Sequence, residues 1–333
     1  MDTLRVAFET LHAIMAEALR RTGMAPRRAD ECARLFAEAS RDGVASHGLN
    51  RFPRFLRMIA RGVVDVHGAP ACLSAAGALE RWSGRRGPGN LNARTSMARA
   101  ITLARSNGIG CVALGDTNHW MRGGSYGWQA ADAGVIGICW TNTLANVPPW
   151  GAADPRIGNN PLVVAFPRTR GHVVVDMALS QFSVGALTQY AARGERLPVA
   201  GGYDADGLLT HDPVAILASG RLLPVGSWKG SGLSIALDLI AAALAAGLAT
   251  HQISRHPEEE SGLSQVFIAI DPAALGPGDV DRLADGVIEH VTAGPGEVRY
   301  PGERTLEIRA RSLRDGVEVD PAIWAEVRAA AAG

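Results

Sequence analysis

Residues 111–131 read CVALGDTNHWMRGGSYGWQAA, and they contain both kinds of element on which the fold depends. The apolar run Cys111–Gly115 predicts a β-strand, and Ser125–Ala133 has the spacing of a helix. A polar turn with two adjacent glycines separates them, and binding sites are often built on such loops. A strand, a polar turn and a helix in this order indicate an α/β protein.

The same alternation extends in both directions from this stretch. Apolar runs predict further strands at Gly134–Trp140, Leu162–Phe166, Val173–Met177 and Val266–Ile270. Helical spacing predicts further helices at Asn90–Asn107, with Asn90 as its N-cap, at Ser183–Arg193 and at Ser231–Leu248. The centre of the chain is therefore predicted to be a sheet with helices packed around it.

Both ends of the chain have the pattern of amphipathic helices. In chain order these helices are predicted at Leu4–Leu19, Ala29–Ala39, Ser46–Gly62 with Ser46 as N-cap, Val280–Val291, Arg304–Arg314 and Pro321–Ala331. We therefore predict a discontinuous helical domain of residues 1–67 and 304–333, and an α/β domain of residues 68–303.

Composition restricts the classes of partner. The 333 residues include 33 basic and 33 acidic side chains, so the net charge is zero. This balance predicts no general affinity for nucleic acid or for an anionic membrane. The N-terminal segment lacks the basic start of a signal peptide. The apolar run Leu233–Ala249 is short for a membrane span and contains Asp238, so we predict a buried helix there.

The cysteines indicate the redox environment. They are widely spaced and form no CxxC motif, which predicts free, buried thiols in the reducing cytoplasm rather than disulfides. The four residues are Cys32, Cys72, Cys111 and Cys139.

Familiar cofactor and metal signatures are absent from the sequence. Gly87-Pro88-Gly89 lacks the third glycine of a dinucleotide-binding fingerprint, and no phosphate-binding loop motif occurs. His251 and His256 are the closest histidine pair, but their spacing puts them on different helix faces and Pro257 would interrupt the helix. We therefore predict no metal site.

The segment SHGLNR, residues 46–51, is the first candidate site. If a helix begins at Ser46, His47 and Arg51 lie one turn apart on the same face and can contact one small molecule. A histidine at a helix N-terminus releases its proton more readily, and a guanidinium binds a carboxylate through two parallel hydrogen bonds. The pair therefore predicts an acid beside a carboxylate clamp. The alternative is an ordinary solvated helix start.

Three other segments can contribute to a site, and each has a structural alternative. Asn118–Trp128 places His119 beside two glycines, although its aromatic residues could simply fill the core. Asp176 lies in an apolar strand, where a buried carboxylate either orients a histidine or has a purely structural partner. Pro224–Gly232 offers amides, a lysine and an indole to a phosphorylated cofactor, or is an ordinary turn before a helix.

Seven motifs taken together resemble those of the type 2 malate/L-lactate dehydrogenase family. They are SHGLNRFPRF (46–55), NHWMRGGSYGWQAA (118–131), ICWTN (138–142), PPWG (148–151), VDM (175–177), WKGSG (228–232) and PGE (301–303). The motifs follow the same order as in that family. They extend from Ser46 to Glu303, so the resemblance covers nearly the whole chain. It implies the non-Rossmann fold of that family, with a mixed or antiparallel central sheet, flanking helices and a helical domain from both chain ends.

The resemblance also implies a function, a dimeric NAD(P)H-dependent reductase of 2-oxo acids. His47 would be the proton donor, and Asp176 would belong to the catalytic network. Arg51 would bind the substrate carboxylate and His119 would line the substrate pocket. The residues implied in cofactor binding are His172, Val173, Val174, Val175, Asp176, Met177, Ala178, Trp228, Lys229, Gly302, Glu303 and Arg304.

NADH is the expected cofactor, and the sequence leaves NADPH as an alternative. Residues 167–171 read PRTRG, so Arg168 or Arg170 could bind a 2′-phosphate. Arg304 departs from the family pattern at its cofactor contact. Within the same family, reduction of a cyclic imino acid or oxidation of ureidoglycolate are alternative activities. A sugar-acid or nucleotide-binding module is the non-enzymatic alternative.

Overall fold

The computed structural model describes residues 4–276 and 278–333, and a seven-stranded sheet lies at its centre. The strands are β1 (Leu4–Val6), β2 (Ala71–Ala76), β3 (Leu79–Ser83), β4 (Ile109–Asn118), β5 (Ile136–Thr141), β6 (Ala145–Val147), β7 (Ile157–Gly158), β8 (Leu162–Phe166), β9 (Val173–Met177), β10 (Gly202–Tyr203), β11 (Leu209–Thr210), β12 (Arg221–Leu222), β13 (Ser261–Ile270) and β14 (Val317–Val319).

The helices surround this sheet and extend beyond it. They are α1 (Phe8–Arg21), α2 (Pro26–Arg41), α3 (Phe52–Ala60), α4 (Gly89–Asn107), α5 (Gly124–Asp132), α6 (Val184–Ala192), α7 (Pro213–Ser219), α8 (Trp228–Ala245), α9 (Thr250–Ile253), α10 (Val280–Thr292), α11 (Glu303–Asp315) and α12 (Pro321–Ala332). Every helix predicted from the sequence has a counterpart in the structure, but α3 begins at Phe52 rather than Ser46 and α1 begins at Phe8 rather than Leu4.

The central sheet has the order β2-β3-β4-β13-β5-β8-β9. Only β3 and β4 pair in parallel, and every other neighbouring pair is antiparallel. The predicted mixed α/β fold is therefore confirmed. The strands β8 and β9 have the predicted bounds, whereas the hairpin β2–β3 was not predicted because its side chains are largely exposed and show no apolar run.

Helices cover both faces of the sheet with apolar side chains. On one face, α4 and α5 enclose a core that includes Val112, Val163 and Phe267. On the other face, α8 contributes Leu237 and Ala241 to a smaller core. Burial of these surfaces stabilises the fold by about 25 cal/mol per Å² of apolar area.

Helix α8 differs from its prediction as a buried helix. Only the stripe that includes Leu237, Ala241 and Ala245 faces the sheet. Leu239 is 62% exposed, and Ile235 and Ile240 are also exposed. By length and composition alone, α8 is the one helix among the described residues that could cross a membrane.

The two ends of the chain meet in a second core. Strand β1 pairs with β14, so that Leu4 lies opposite Val319, and the helices α1, α2, α3 and α12 pack together beside them. The prediction of Leu4 as helical is wrong, because Leu4 takes part in this strand pair. Leu91 and Met121, from the central part of the chain, belong to the same core. The proposed boundaries at residues 67 and 304 remain a prediction.

A small third unit lies between β9 and α8 in the sequence and was not predicted. It contains α6, α7 and the short sheet β11-β10-β12, around a core that includes Leu187 and Ile216. Its strands are only two residues long, too short to show an apolar alternation.

Three local predictions need correction. Ser46 is not a helix N-cap, because α3 begins at Phe52. Asn90 lies inside α4, where its amide donates to the Cys32 carbonyl instead of capping the helix. Cys72 is an exposed thiol on β2 and Cys111 is half-buried, whereas Cys32 and Cys139 are buried as predicted; all four are free.

Candidate active site

The candidate substrate residues come together at one end of the central sheet. Strand β4 ends at Asn118, directly before His119, and its partner β13 begins opposite, with Ser261 paired to Asn118. Asp176 is near the end of β9 at the sheet edge. The sheet register therefore brings distant parts of the sequence to one place.

The segment that carries His47 is not a regular helix. It forms two short 3₁₀ turns, at Ala45–His47 and Leu49–Arg51, with Gly48 between them. A Cβ on Gly48 would come within 2.7 Å of the Ser40 backbone nitrogen, so only glycine fits this close to α2. The Ser40 hydroxyl accepts a hydrogen bond from the Leu49 amide (2.7 Å), which fixes the segment on the end of α2.

His47 and His119 stack on one another. Their ring centroids are 5.5 Å apart and the planes differ by 16°. His47 Nδ1 is 3.1 Å from the Ser46 hydroxyl, and His119 Nδ1 accepts a hydrogen bond from the Met121 amide (3.0 Å). Neutral His119 must therefore carry its proton on Nε2. The two imidazoles form the centre of the candidate substrate site.

Both histidines are held in the neutral form. Burial, together with the charges of Arg51 and Arg122, lowers the pKa of His47 to about 4, although the charge of Glu260 opposes this shift. Burial likewise lowers the pKa of His119 well below its usual value, and the charge of Arg51 acts in the same direction. At neutral pH the free protein therefore has an unprotonated His47.

Arg51 lies beside these histidines, but its charge is already paired. Its guanidinium donates to the Glu260 carboxylate, which also accepts from Arg54 at 3.0 Å. The same carboxylate is 3.8 Å from His119 Nε2. The arginine expected to bind the substrate carboxylate is thus part of a cluster with three other side chains, Arg54, Glu260 and His119.

Glu260 was missed by the sequence analysis. It precedes β13 and takes a left-handed backbone conformation, with φ +47°. Since Ser261 pairs with Asn118, the register places Glu260 next to His119 across two central strands. Only the pairing of β4 with β13 could have indicated this contact, and the sequence does not specify which strands pair.

Asp176 lies near the end of β9, where the residue as a whole is exposed, contrary to the expectation of a fully buried residue, while its carboxyl group packs against the start of α5. Its Oδ2 accepts a hydrogen bond from the Gly124 amide (2.9 Å), and a Cβ on Gly124 would come within 2.6 Å of that oxygen. Burial of the carboxyl group raises the pKa of Asp176, whereas the charge of Arg122 and the Gly124 amide oppose this shift. The second of the two glycines in the loop thus allows the contact between α5 and β9.

The segment Asn118–Trp128 contributes both to the hydrophobic core and to the candidate site, the two roles considered in the sequence analysis. Trp120 and Tyr126 are core side chains, each 1% exposed. The Asn118 amide donates to backbone carbonyls of the Arg86–Gly87 turn. Only His119 of this group reaches the candidate substrate site.

Asp42 anchors this loop to the end of α2. Its carboxylate, 1% exposed, accepts from Arg122 (2.5 Å), from Arg309 (2.7 and 2.9 Å) and from Arg41 (2.8 Å). Burial alone would raise the pKa of Asp42, but the hydrogen bond from Arg309 and the charge of Arg122 lower it well below its usual range. This cluster joins α2, α11 and the His119 loop, and the sequence analysis did not identify it.

The segments expected to bind the cofactor lie along the edge strand β9. At its start, the Val174 amide donates to the Pro301 carbonyl (2.9 Å), which places Gly302 beside His172 and Val174. Beyond its end, the Val225 amide donates to the Leu179 carbonyl (2.9 Å), and the chain then leads to α8.

The residues near the two ends of β9 differ in kind, with a glycine backbone at one end and large exposed side chains beyond the other. Gly302 has φ +100°, a conformation suited to glycine. Trp228 is 65% exposed, and Lys229 beside it is also exposed at the N-terminus of α8. The residues expected to contact the cofactor therefore lie on β9 and beyond its two ends.

This chain is similar to known proteins over nearly its whole length. The family model described as malate/L-lactate dehydrogenase matches residues 6–328. The protein named 2,3-diketo-L-gulonate reductase from Escherichia coli K12 is 44% identical over 98% of this chain and all of its own.

The chain belongs to the malate/L-lactate dehydrogenase family.

Solved structures of this dehydrogenase family have the same fold. The structure of delta1-piperideine-2-carboxylate reductase from Pseudomonas syringae is 32% identical, with a TM-score of 0.88 over 98% of this chain and all of that one. Sulfolactate dehydrogenase from Methanocaldococcus jannaschii is 26% identical, with a TM-score of 0.89 over 98% of this chain and 96% of that one. This family member is therefore an oxidoreductase.

Membership of the dehydrogenase family implies a nicotinamide cofactor and a small-molecule substrate. β9 is the edge strand of the central sheet, and the exposed indole of Trp228 follows in the segment beyond its end. An exposed aromatic face and free backbone groups suit a ring-bearing, phosphorylated molecule. His172–Ala178, Trp228, Lys229 and Gly302–Arg304 are the residues that would hold it.

The two arginines of the loop before β9, residues 167–171, already form ion pairs with α10 in this dehydrogenase. Arg168 donates to Asp285 of α10 at 2.6 Å, and Arg170 lies 3.8 Å from the same carboxylate. The Thr169 amide donates to Asp281, also on α10 (2.7 Å). Two carboxylates thus face the loop that the sequence suggested as a 2′-phosphate site.

Proposed function

We propose that this protein is an NADH-dependent 2,3-diketo-L-gulonate reductase, which reduces the 2-carbonyl of its substrate to 3-dehydro-L-gulonate. The observation that carries the proposal is the 44% identity with a reductase of that name along the whole length of both chains. The stacked histidines beside two arginines support it, because they suit a substrate with a carboxylate next to a carbonyl.

His47 is the proposed proton donor. When the nicotinamide is bound, it supplies a hydride to the carbonyl carbon of the substrate. Negative charge then grows on the carbonyl oxygen, and a proton from His47 neutralises it. His119 can donate from Nε2 to the same oxygen, and Asp176, which accepts from the Gly124 amide, is proposed to support the segment that carries His119. Alignment of the reactants removes part of the entropic barrier.

The low pKa of His47 couples protonation to substrate binding. Free His47 is neutral at pH 7 because its pKa is about 4. A substrate carboxylate beside Arg51 adds a negative charge next to the imidazole, and a nearby opposite charge raises the pKa of a histidine. A bound substrate carboxylate therefore raises the pKa of His47 and favours the protonated form that acts as the acid.

The proposed function is tested by the decrease in reduced-nicotinamide absorbance. Purified protein is assayed with NADH and with NADPH against 2,3-diketo-L-gulonate, pyruvate, oxaloacetate and a cyclic imino acid. Turnover restricted to diketogulonate would support the proposal. Turnover of another substrate alone would retain the family and reject the substrate, and inactivity with every one would reject the reductase in favour of a binding module.

Replacement of Arg51 by alanine is expected to raise the substrate KM by about 10–100-fold. A charge-assisted hydrogen bond is worth about 1.5–3 kcal/mol, and this loss concerns the bound substrate more than the chemical step. Steady-state kinetics provide the measurement, with Arg57→Ala as the control, because Arg57 is an exposed arginine of α3. An unchanged KM would contradict the role of Arg51.

NADH rather than NADPH is the proposed cofactor. Asp285 pairs with Arg168 and lies 3.8 Å from Arg170, so a 2′-phosphate near this loop would have to compete with that carboxylate and with Asp281. The comparison of NADH with NADPH in the substrate assay checks this proposal directly.

A homodimer is proposed from the surface of α8. Leu239, Ile235 and Ile240 form an exposed apolar group on α8, and Val164 and Met177 of the central sheet are exposed as well. Exposed apolar groups of this kind mark association surfaces. We expect a solution mass, measured by light scattering, of twice 34.9 kDa, and Leu239→Lys should shift it toward the single chain. A wild-type monomer would contradict this proposal.

The remaining expectations stay proposals. The discontinuous helical domain of residues 1–67 and 304–333 and the cofactor-binding domain of residues 68–303 agree with separate apolar cores, although Leu91 and Met121 join the helical one. A cytoplasmic location is proposed from four free cysteines, one of which is exposed.

A further inference from the structure

Glu260 forms the negative part of the cluster around the substrate site. One of its oxygens accepts from both Arg51 and Arg54, and the other faces His119 Nε2 at 3.8 Å. Glu260 and Arg51 are largely buried, with side chains 15% and 18% exposed. A carboxylate held by two arginines in such surroundings is not a solvated surface charge.

The charges of this cluster do not cancel. Arg51 and Arg54 carry two positive charges and Glu260 carries one negative charge, so one positive charge remains. In the free protein the neighbouring histidines are neutral at neutral pH, and Arg122 forms its ion pair with Asp42 outside this cluster. One further negative charge on a ligand makes the site neutral, whereas a second leaves an uncompensated charge, which is costly in a partly buried site.

We propose that Glu260 determines substrate specificity, because it limits the carboxylate-binding cluster to one positive charge and so selects monocarboxylate over dicarboxylate 2-oxo acids. This inference rests on the proposed function and narrows its substrate class. Arg51 keeps further N–H groups for the substrate carboxylate, since a guanidinium has five donors. Specificity of this kind comes from repulsion of the wrong ligand as much as from attraction of the right one.

The test uses two non-reacting ligands with the same skeleton. Oxamate carries one negative charge and oxalate carries two, and each Kd is measured by calorimetry on the NADH-saturated protein at neutral pH. The ratio of the two Kd values removes any effect that acts on both ligands equally. Wild-type protein is expected to bind oxamate more tightly than oxalate.

Glu260→Gln is expected to shift the ratio at least tenfold toward oxalate. Gln keeps the shape of the side chain and removes only its charge. Arg54→Met should shift the ratio in the opposite direction, because it removes one positive charge from the same cluster. The matched control is Glu258→Gln, an exposed glutamate of the same loop, which should leave the ratio unchanged. Thermal unfolding confirms that each variant is folded.

Two results would overturn the assignment. If Glu260→Gln weakens both ligands equally, Glu260 only positions Arg51 and does not select by charge. If Glu258→Gln shifts the ratio of the two Kd values as much, the effect comes from the net charge of the loop and not from Glu260 itself. Failure of the proposed function is distinguishable, because it would appear as absent turnover of every 2-oxo acid while these binding ratios could still be measured.

Discussion

His47→Ala is expected to lower kcat for 2-oxo acid reduction by about 10²–10⁴-fold, the usual contribution of general acid catalysis. The affinity for NADH should change little, because the residues proposed to hold the cofactor lie along β9 and not on the His47 segment. The measurement combines steady-state turnover with a fluorescence titration of NADH.

The control for this variant is His67→Ala, which removes an exposed histidine. It should leave both quantities unchanged. Undiminished turnover in His47→Ala would remove His47 from the role of proton donor. Loss of NADH binding together with turnover would instead indicate that the variant disturbs the fold or the cofactor site.

Asp42→Asn is expected to lower the free energy of unfolding by about 3–5 kcal/mol, the cost of breaking a buried ion pair by removing one partner. Asp42 is 1% exposed and compensates Arg122, Arg309 and Arg41, whose side chains are 5%, 24% and 15% exposed. Asparagine keeps the size of the side chain but leaves three guanidinium groups without their carboxylate. Urea denaturation provides the measurement.

Asp315→Asn is the matched control for this prediction. Asp315 also accepts two hydrogen bonds from an arginine, Arg314, but the pair lies at the surface. Exposed ion pairs contribute little, because water and salt screen them. Equal stability losses in the two variants would contradict the importance of burial at Asp42.

The sequence contained enough information for the fold class and most elements. Apolar runs such as Leu162–Phe166 and Val173–Met177 gave strand bounds that the structure repeats. Such elements can be predicted because the spacing of apolar residues along a short segment reflects its secondary structure. The order of the strands was not accessible, because pairing depends on contacts between residues far apart in the chain.

In the site too, residues within recognisable sequence motifs were predicted, whereas residues placed by contacts between distant segments were not. His47 and His119 were identified from the sequence, and the structure stacks their rings. Their surroundings were not identified: Glu260 depends on the pairing of β4 with β13, and Asp42 depends on the docking of α2 against the His119 loop. The helix predicted at Ser46 failed because close contact between Gly48 and α2 overrides the local cap signal.

The most direct test of the central claim, that His47 supplies the proton, is the pH dependence of kcat/KM for reduction. This ratio reports ionisations of the protein before substrate binds. With the pKa of His47 at about 4, the protonated fraction decreases as pH rises above that value. We expect kcat/KM to fall about tenfold per pH unit between about pH 6 and 8, and to lose this dependence in His47→Ala. A flat wild-type profile, or an unchanged slope in the variant, would contradict the claim.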